Sequence, residues 1–212
     1  MFSRRNALIV SFAGALMFAA AGAKAQASAQ APDALIKQVS TEVLDAVKAD
    51  KTIKAGDVQK IIALVDQKVM PHVDFQRMTA SAVGRYWRQA TPEQQKRLQD
   101  EFKILLVRTY SGALAQVRDQ TVELKPMRGS ASDPEVVVKT EIRGQGDPVQ
   151  LDYRLAKKDD GWKIYDVNVL GVWLVENYRN SFAQEIGANG IDGLIAKLGE
   201  RNKAAAASGA KS

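Results

Sequence analysis

Two charged residues stand where charge needs an explanation. Asp166 lies in "GWKIYDVNVL" (161–170), where strict alternation puts it on one face with Trp162, Ile164, Asn168 and Leu170. If Trp162 and Ile164 point to a core, the Asp166 carboxylate is drawn in with them and needs a donor. Arg179, Tyr178 or backbone amides can supply one, which makes a structural pair. The alternative is a general base with a raised pKa in an apolar cleft, acting on a hydrophobic substrate. No second catalytic group is visible nearby, so the structural pair is the favoured expectation.

Other chemistry finds few residues to use. His72 is the single histidine and cysteine is absent. A metal would need an all-carboxylate cage or ligands from a partner, and no tight acidic loop suggests one, so neither metal nor cofactor is expected. His72 sits beside Pro71 with no nucleophile elbow in sight, and no glycine-rich phosphate loop links a strand to a helix. Catalytic residues are therefore not assigned.

These side chains must be positioned by an α+β framework. Apolar residues at helical spacing predict a helix over 34–49 and a second through Val58, Ile61, Ile62, Val65 and Val69, stopped by Pro71. A third short helix carries Phe75, Met78, Ala82 and Val83 to Gly84. "TPEQ" at 91–94 is a capping box with proline in the first turn, opening a helix to about Val117. The period then changes to two in "TVELKPM", "EVVVKTEIR", "PVQLDYRLA" and "GWKIYDVNVL", separated by short turn sequences. This predicts a four-stranded antiparallel meander covered by helices, with short helices at about 172–187 and 190–201. The expected organisation is a helical part at 33–118, a sheet at 120–171, C-terminal helices at 172–202 and a disordered tail at 203–212.

The first 25 residues read differently. Arg4 and Arg5 precede an apolar run from Ala7 to Ala21, and "AKA" at 23–25 offers small residues for cleavage, so 1–25 is expected to be a signal peptide. Its removal takes Arg4, Arg5 and Lys24 with it and lowers the formal net charge from +6 to +3. That modest balance gives no footing for nucleic acid. The remaining 26–202 form a single domain, expected to be soluble and exported.

The aromatic residues Phe75, Tyr86, Trp87, Phe102, Tyr110, Tyr153, Trp173 and Phe182 could fill one core. Beneath several helices on one small sheet, they also suggest the lining of a cavity.

At 64–114 the sequence "LVDQKVMPHVDFQRMTASAVGRYWRQATPEQQKRLQDEFKILLVRTYSGAL" resembles the MlaC family of periplasmic phospholipid-binding proteins. So do "WKIYDVNVLGVWLVENYRNSF" at 162–182 and "GIDGLIAKL" at 190–198. The matching positions include Pro71, Val73, Asp74 and Phe75; Gly84, Tyr86 and Trp87; Trp162, Tyr165, Asp166 and Gly171; and Tyr178, Arg179 and Phe182. Leu170 and Trp173 depart from it, standing where the family commonly has an acid and a serine.

The resemblance implies a fold similar to nuclear transport factor two with added N-terminal helices. It implies a periplasmic carrier that maintains outer-membrane lipid asymmetry. Its partners would be a phospholipid, an inner-membrane ABC transporter complex and an outer-membrane lipoprotein–porin complex, met through transient membrane-associated contacts. On that reading Phe102, Leu105, Leu106 and Tyr110 oppose a sheet face of Val138, Leu151, Tyr153 and Leu155 around the acyl tails. Phe75, Trp87 and Val169 add to the lining, and Trp173 and Leu174 close one rim. Arg179 then faces either Asp166, as a structural pair, or the pocket mouth, as a phosphate contact. A charge at Leu105 or Leu151 is expected to block loading with little loss of folding.

Overall fold

A computed structural model describes residues 30–127 and 133–209, with side chains to 207. The expected leader at 1–25 lies outside those residues. The helical part opens with α1 (Pro32–Ala49), with Pro32 in the first turn, where its missing N–H costs nothing. Its buried stripe serves two neighbours in turn. Leu35, Ile36 and Val39 pack on the sheet, while Leu44 and Val47 pack on α3 and on the end of α5.

Carboxylates start the next three helices by accepting orphan amide protons. Asp50 caps α2 (Lys51–Lys54), Asp57 caps α3 (Val58–Lys68), and Asp74 caps α4 (Phe75–Val83). Pro71 ends the second of these in a single 3-10 turn, Met70–His72. Thr91 and Gln94 form the capping box of α5, which spans Pro92–Ala115.

The sheet is antiparallel throughout, in the order β1 (Thr121–Leu124), β2 (Glu135–Arg143), β3 (Val149–Lys158), β4 (Gly161–Val169) and β5 (Val172–Trp173). It has five strands where periodicity predicts four. The chain reverses within Leu170 and Gly171 and pairs Val172 with Val169, so Trp173 ends a strand instead of opening a helix. Leu170 and Gly171 have φ of 51° and 91°, as a tight hairpin turn of this hand requires. Glycine accepts that conformation freely; a leucine there costs roughly 1–2 kcal/mol.

A bulge interrupts the β3–β4 register. Arg154 pairs with Asp166 and Leu155 with Ile164, leaving Tyr165 as an extra residue. The strand therefore changes phase. Trp162 and Ile164 face α1, whereas Asp166 and Asn168 share the opposite face with their partners Arg154 and Trp173. All of Trp162, Ile164, Asp166 and Asn168 are buried, but not on the one face that strict alternation assigns them, and Leu170 is exposed.

Helix α6 (Leu174–Gly209) closes the domain and breaks at Gly190, whose φ of 72° and ψ of −179° suit glycine alone. Past Asn202, which is buried and donates to the Glu101 carbonyl and carboxylate, the helix continues to Gly209. The sequence reading places a fraying tail there. Four successive alanines with high helix propensity carry the helix outward.

Candidate functional site

The helix-covered face of the sheet is built from alternate residues of β2 and β3 and, with a change of phase at the bulge, from Ile164, Val167 and Val169 of β4. Cross-strand pairing lines them up in rows: Val136–Leu155–Ile164, then Val138–Tyr153–Val167, then Thr140–Leu151–Val169, then Ile142–Val149. None of these side chains carries a charge. The two polar groups among them are satisfied locally. The Thr140 hydroxyl donates to the Leu151 carbonyl at 2.9 Å, and the Tyr153 hydroxyl bonds with Ser40 and Thr140. Burial pushes the Tyr153 phenol above its ordinary pKa.

Burial fades along this face. The first row is sealed under α1; Tyr153, Val167, Leu151, Val169 and Ile142 are half-buried; Val149 is 39% exposed. The apolar surface therefore runs from a closed end at the bulge to an open end at the β2–β3 and β4–β5 turns.

Above it the helices form a second apolar body. Phe102 is the hub, with its ring centroid 5.0 Å from Tyr178, 5.2 Å from Phe182 and 5.8 Å from Phe75. Leu98 and Leu105 extend this stripe of α5 against α4 and α6, and Leu106 and Trp87 pack on its margin. A second stripe, Val107 with Leu114, faces α1 and α3. On the helical wheel Leu106 and Tyr110 fall between the stripes, and both are half-buried. The sheet is packed by α1, α4 and α6, whereas α5 packs on α2, α3, α4 and α6. Two half-buried valines link these clusters to the sheet: Val167 joins the aromatic one, and Val122 joins the one around α1 and α3.

This corrects the expected arrangement. Phe102 and Leu105 do not oppose Val138 and Leu155. The first pair fills the seam between helices, and the second packs beneath α1. Tyr178 and Phe182 draw Phe102 sideways because edge-to-face ring contacts fix its direction. Leu151 and Val169 are cross-strand neighbours, and Leu174 is buried where α6 begins.

Trp173 does not close the rim with Leu174. Its partner in the register is Asn168, which puts it on the sheet's outer face, with the Arg154 guanidinium 3.8 Å from its ring centroid. An open groove of about 730 Å³ lies there, lined by Pro126, Val137, Lys139, Asp152 and Trp173.

Asp166 and Arg179 do not pair. Asp166 is 1% exposed and fully engaged. Its Oδ1 accepts from the amides of Val167 at 2.9 Å and Val175 at 3.1 Å, and its Oδ2 accepts from Arg154 at 3.0 Å. Burial pushes its carboxyl up, opposed by the Val175 amide and the Arg154 charge. Arg179 is exposed and donates from Nε to the Ser81 carbonyl at 3.1 Å, tying α6 to α4. Arg154 is the partner that sequence reading missed. Counting back from the turn at 159–160 sets Tyr153 opposite Asp166, and only the bulge moves Arg154 there.

With both oxygens occupied and almost no exposure, Asp166 offers a substrate no free base. Among the described residues no three of His, Cys, Asp or Glu converge on a metal-sized site, and no helix is long and apolar enough to cross a membrane.

Known proteins share this architecture. A crystal structure of a phospholipid-binding protein from Ralstonia solanacearum, in complex with a phospholipid, superposes with a TM-score of 0.80 at 50% identity, covering 82% of this chain and 98% of that one. The toluene tolerance protein ttg2D of Pseudomonas putida is 27% identical over 199 residues, 91% of this chain and 93% of its own. The intermembrane phospholipid transport system binding protein MlaC of Haemophilus influenzae is 22% identical, over 79% of this chain and 80% of its own. The model of the MlaC protein family matches residues 37–200, which takes in most of α1, the sheet and most of α6. A helix-roofed antiparallel sheet is thus a shared fold, and this chain belongs to the MlaC family.

Proposed function

We propose that this protein is a periplasmic phospholipid carrier. It would hold the acyl tails between the four uncharged rows of the sheet's inner face and the helices, and shuttle lipid between an inner-membrane ABC transporter complex and an outer-membrane lipoprotein–porin complex. The observation that carries this reading is the burial gradient. Leu151, Tyr153, Val167 and Val169 form a charge-free surface that stays half-buried although apolar helices lie above it. A compact core would bury such residues fully.

The energetics demand enclosure. A diacyl phospholipid brings roughly thirty methylenes at about 0.8 kcal/mol each, so carrying it bare through water would cost on the order of 20 kcal/mol. The lining best placed to offset this is Leu151, Tyr153 and Val169 with Leu106 and Tyr110; Val138, Leu155, Phe75, Trp87, Phe102 and Leu105 form the packed walls behind them. Arg179, exposed and held by a single carbonyl, remains available to a phosphate. The bound phospholipid of the Ralstonia protein supports the same reading, given its 50% identity.

Organic extraction and mass spectrometry of protein purified from the periplasm test the proposal. Phospholipid in near-stoichiometric amount is expected; protein that is lipid-free and takes up none from vesicles would refute it.

A further inference from the structure

Exposed apolar side chains are ordinary when scattered, so their placement is what informs. Among the described residues three large aliphatic side chains are exposed: Val149 at 39%, Leu170 at 65% and Val172 at 51%. Leu170 and Val172 share one turn, and Val149, from a separate strand, meets them in space. The Leu170 amide donates to the Gln150 carbonyl at 3.1 Å, next to Val149, and Val172 pairs with Val169 across the turn. Val149 and Val172 point to the helix-covered side. All three crown the end of the sheet at which burial of the inner face fades.

Leu170 holds this place against its backbone. It has the one positive φ among the described non-glycine residues, 51°, in a turn position that asparagine or glycine fills without strain. Relief of that strain by a polar residue is one substitution away, yet the position presents a leucine to water. The surrounding stretch, "VNVLGVWLV" at 167–175, contains no charge.

We infer that Val149, Leu170 and Val172 form a membrane-contact tip, pressed into the acyl surface of a lipid bilayer while a passenger crosses the open end of the sheet. The inference rests on the carrier reading. Three side chains on two adjoining turns are far too small for a stable protein interface, which buries roughly 1,200 Å² or more. A convex aliphatic point needs no matching pocket in a fluid apolar phase. Its continuity with Leu151 and Val169 gives a departing acyl chain an apolar path with no charged side chain on it.

The test is transfer of a self-quenched fluorescent phospholipid between vesicles of phosphatidylethanolamine with a minority of phosphatidylglycerol. Leu170→Asn suits the turn and removes the apolar tip, so it is expected to slow transfer at least about tenfold, with lipid content and thermal midpoint undiminished. Leu170→Met should restore transfer to within about twofold of the parent, excluding turn distortion as the cause. Because the chain has no cysteine, Val149→Cys can carry a single environment-sensitive fluorophore, whose emission should shift blue on adding those vesicles. Transfer by Leu170→Asn at the parental rate, or a label that stays in water, overturns the tip. If the tip serves a protein partner, vesicle transfer is indifferent to Leu170→Asn, which also overturns it. A parent chain that neither holds nor moves lipid refutes the carrier reading instead, and the label then decides the tip alone.

Discussion

The two ends of the apolar layer are made of the same residue types and behave in opposite ways. At the closed end Val136, Leu155 and Ile164 lie under α1, and the helix seam is as tightly sealed, with Phe102 ringed by three aromatics. At the open end Leu151 and Val169 are half-buried and Val149 reaches solvent. Hydrophobicity alone therefore does not distinguish the two. On the proposed carrier reading, the binding surface is the apolar surface that the fold leaves incompletely covered.

The same substitution in the sealed seam and at the open end tests this contrast most severely. Leu105→Glu would set an unpaired carboxylate in the helix seam and is expected to cost about 4 kcal/mol or more, enough to unfold many domains. That replaces the expectation that a charge at Leu105 is tolerated, since this leucine belongs to the sealed cluster. Leu151→Glu should fold within about 1–2 kcal/mol of the parent but lose bound lipid. Urea midpoints with lipid extraction read both, and equal destabilisation would dissolve the distinction.

Removing the hub comes next. Phe102→Ala is expected to lose about 3–5 kcal/mol, by the missing ring and the cavity it leaves; a loss below about 1 kcal/mol would mean the seam repacks freely.

Arg154→Ala should cost about 1–2 kcal/mol near neutral pH, by leaving the Asp166 carboxylate buried with amide donors alone. The dependence on pH has a definite sign. Burial already raises the Asp166 carboxyl, and losing the guanidinium raises it further, so the folded variant binds its proton more readily than the unfolded chain does. The variant's deficit should therefore shrink as pH falls through the carboxylate range, read from paired denaturation curves. A deficit that grows in acid would contradict the pairing.

The smallest effect is expected at Asp74. Burial acts to raise its carboxyl, but the Arg77 amide and Lys158 together hold it below the ordinary value. Its contribution is thus present above the unfolded pKa and lost as pH falls through the folded one. Asp74→Asn keeps a helix cap and gives up the Lys158 ion pair at 3.0 Å, which is worth about 0.5 kcal/mol near neutrality and nothing in strong acid.

The parts legible in the sequence are those governed by neighbours along the chain. The capping box at Thr91, the stop at Pro71 and the alternation of β2 and β3 each depend on a few adjacent residues, and each appears as read. The missed features depend on distant ones. Asp166 finds Arg154 because a bulge moves the register by one residue, and Phe102 turns sideways because Tyr178 and Phe182 wait on another helix. The fifth strand hides behind Leu170, since a leucine at positive φ gives none of the asparagine–glycine signal that normally announces a hairpin. In the site, Val138, Leu151, Tyr153 and Leu155 do share one sheet face, while the facing stripe of α5 could not be chosen from periodicity, because α5 is apolar in two directions.

The extra residue in β4 has a mechanical corollary. A shortened chain without Tyr165 would place Trp162, Ile164, Val167 and Val169 at every second position of one regular ribbon, all still turned inward. Its floor would be equally greasy, yet flatter, since an added residue bends a strand and tightens its twist. Curvature is thus the property this tyrosine gives the sheet. A deletion there would reshape the vessel without changing what lines it.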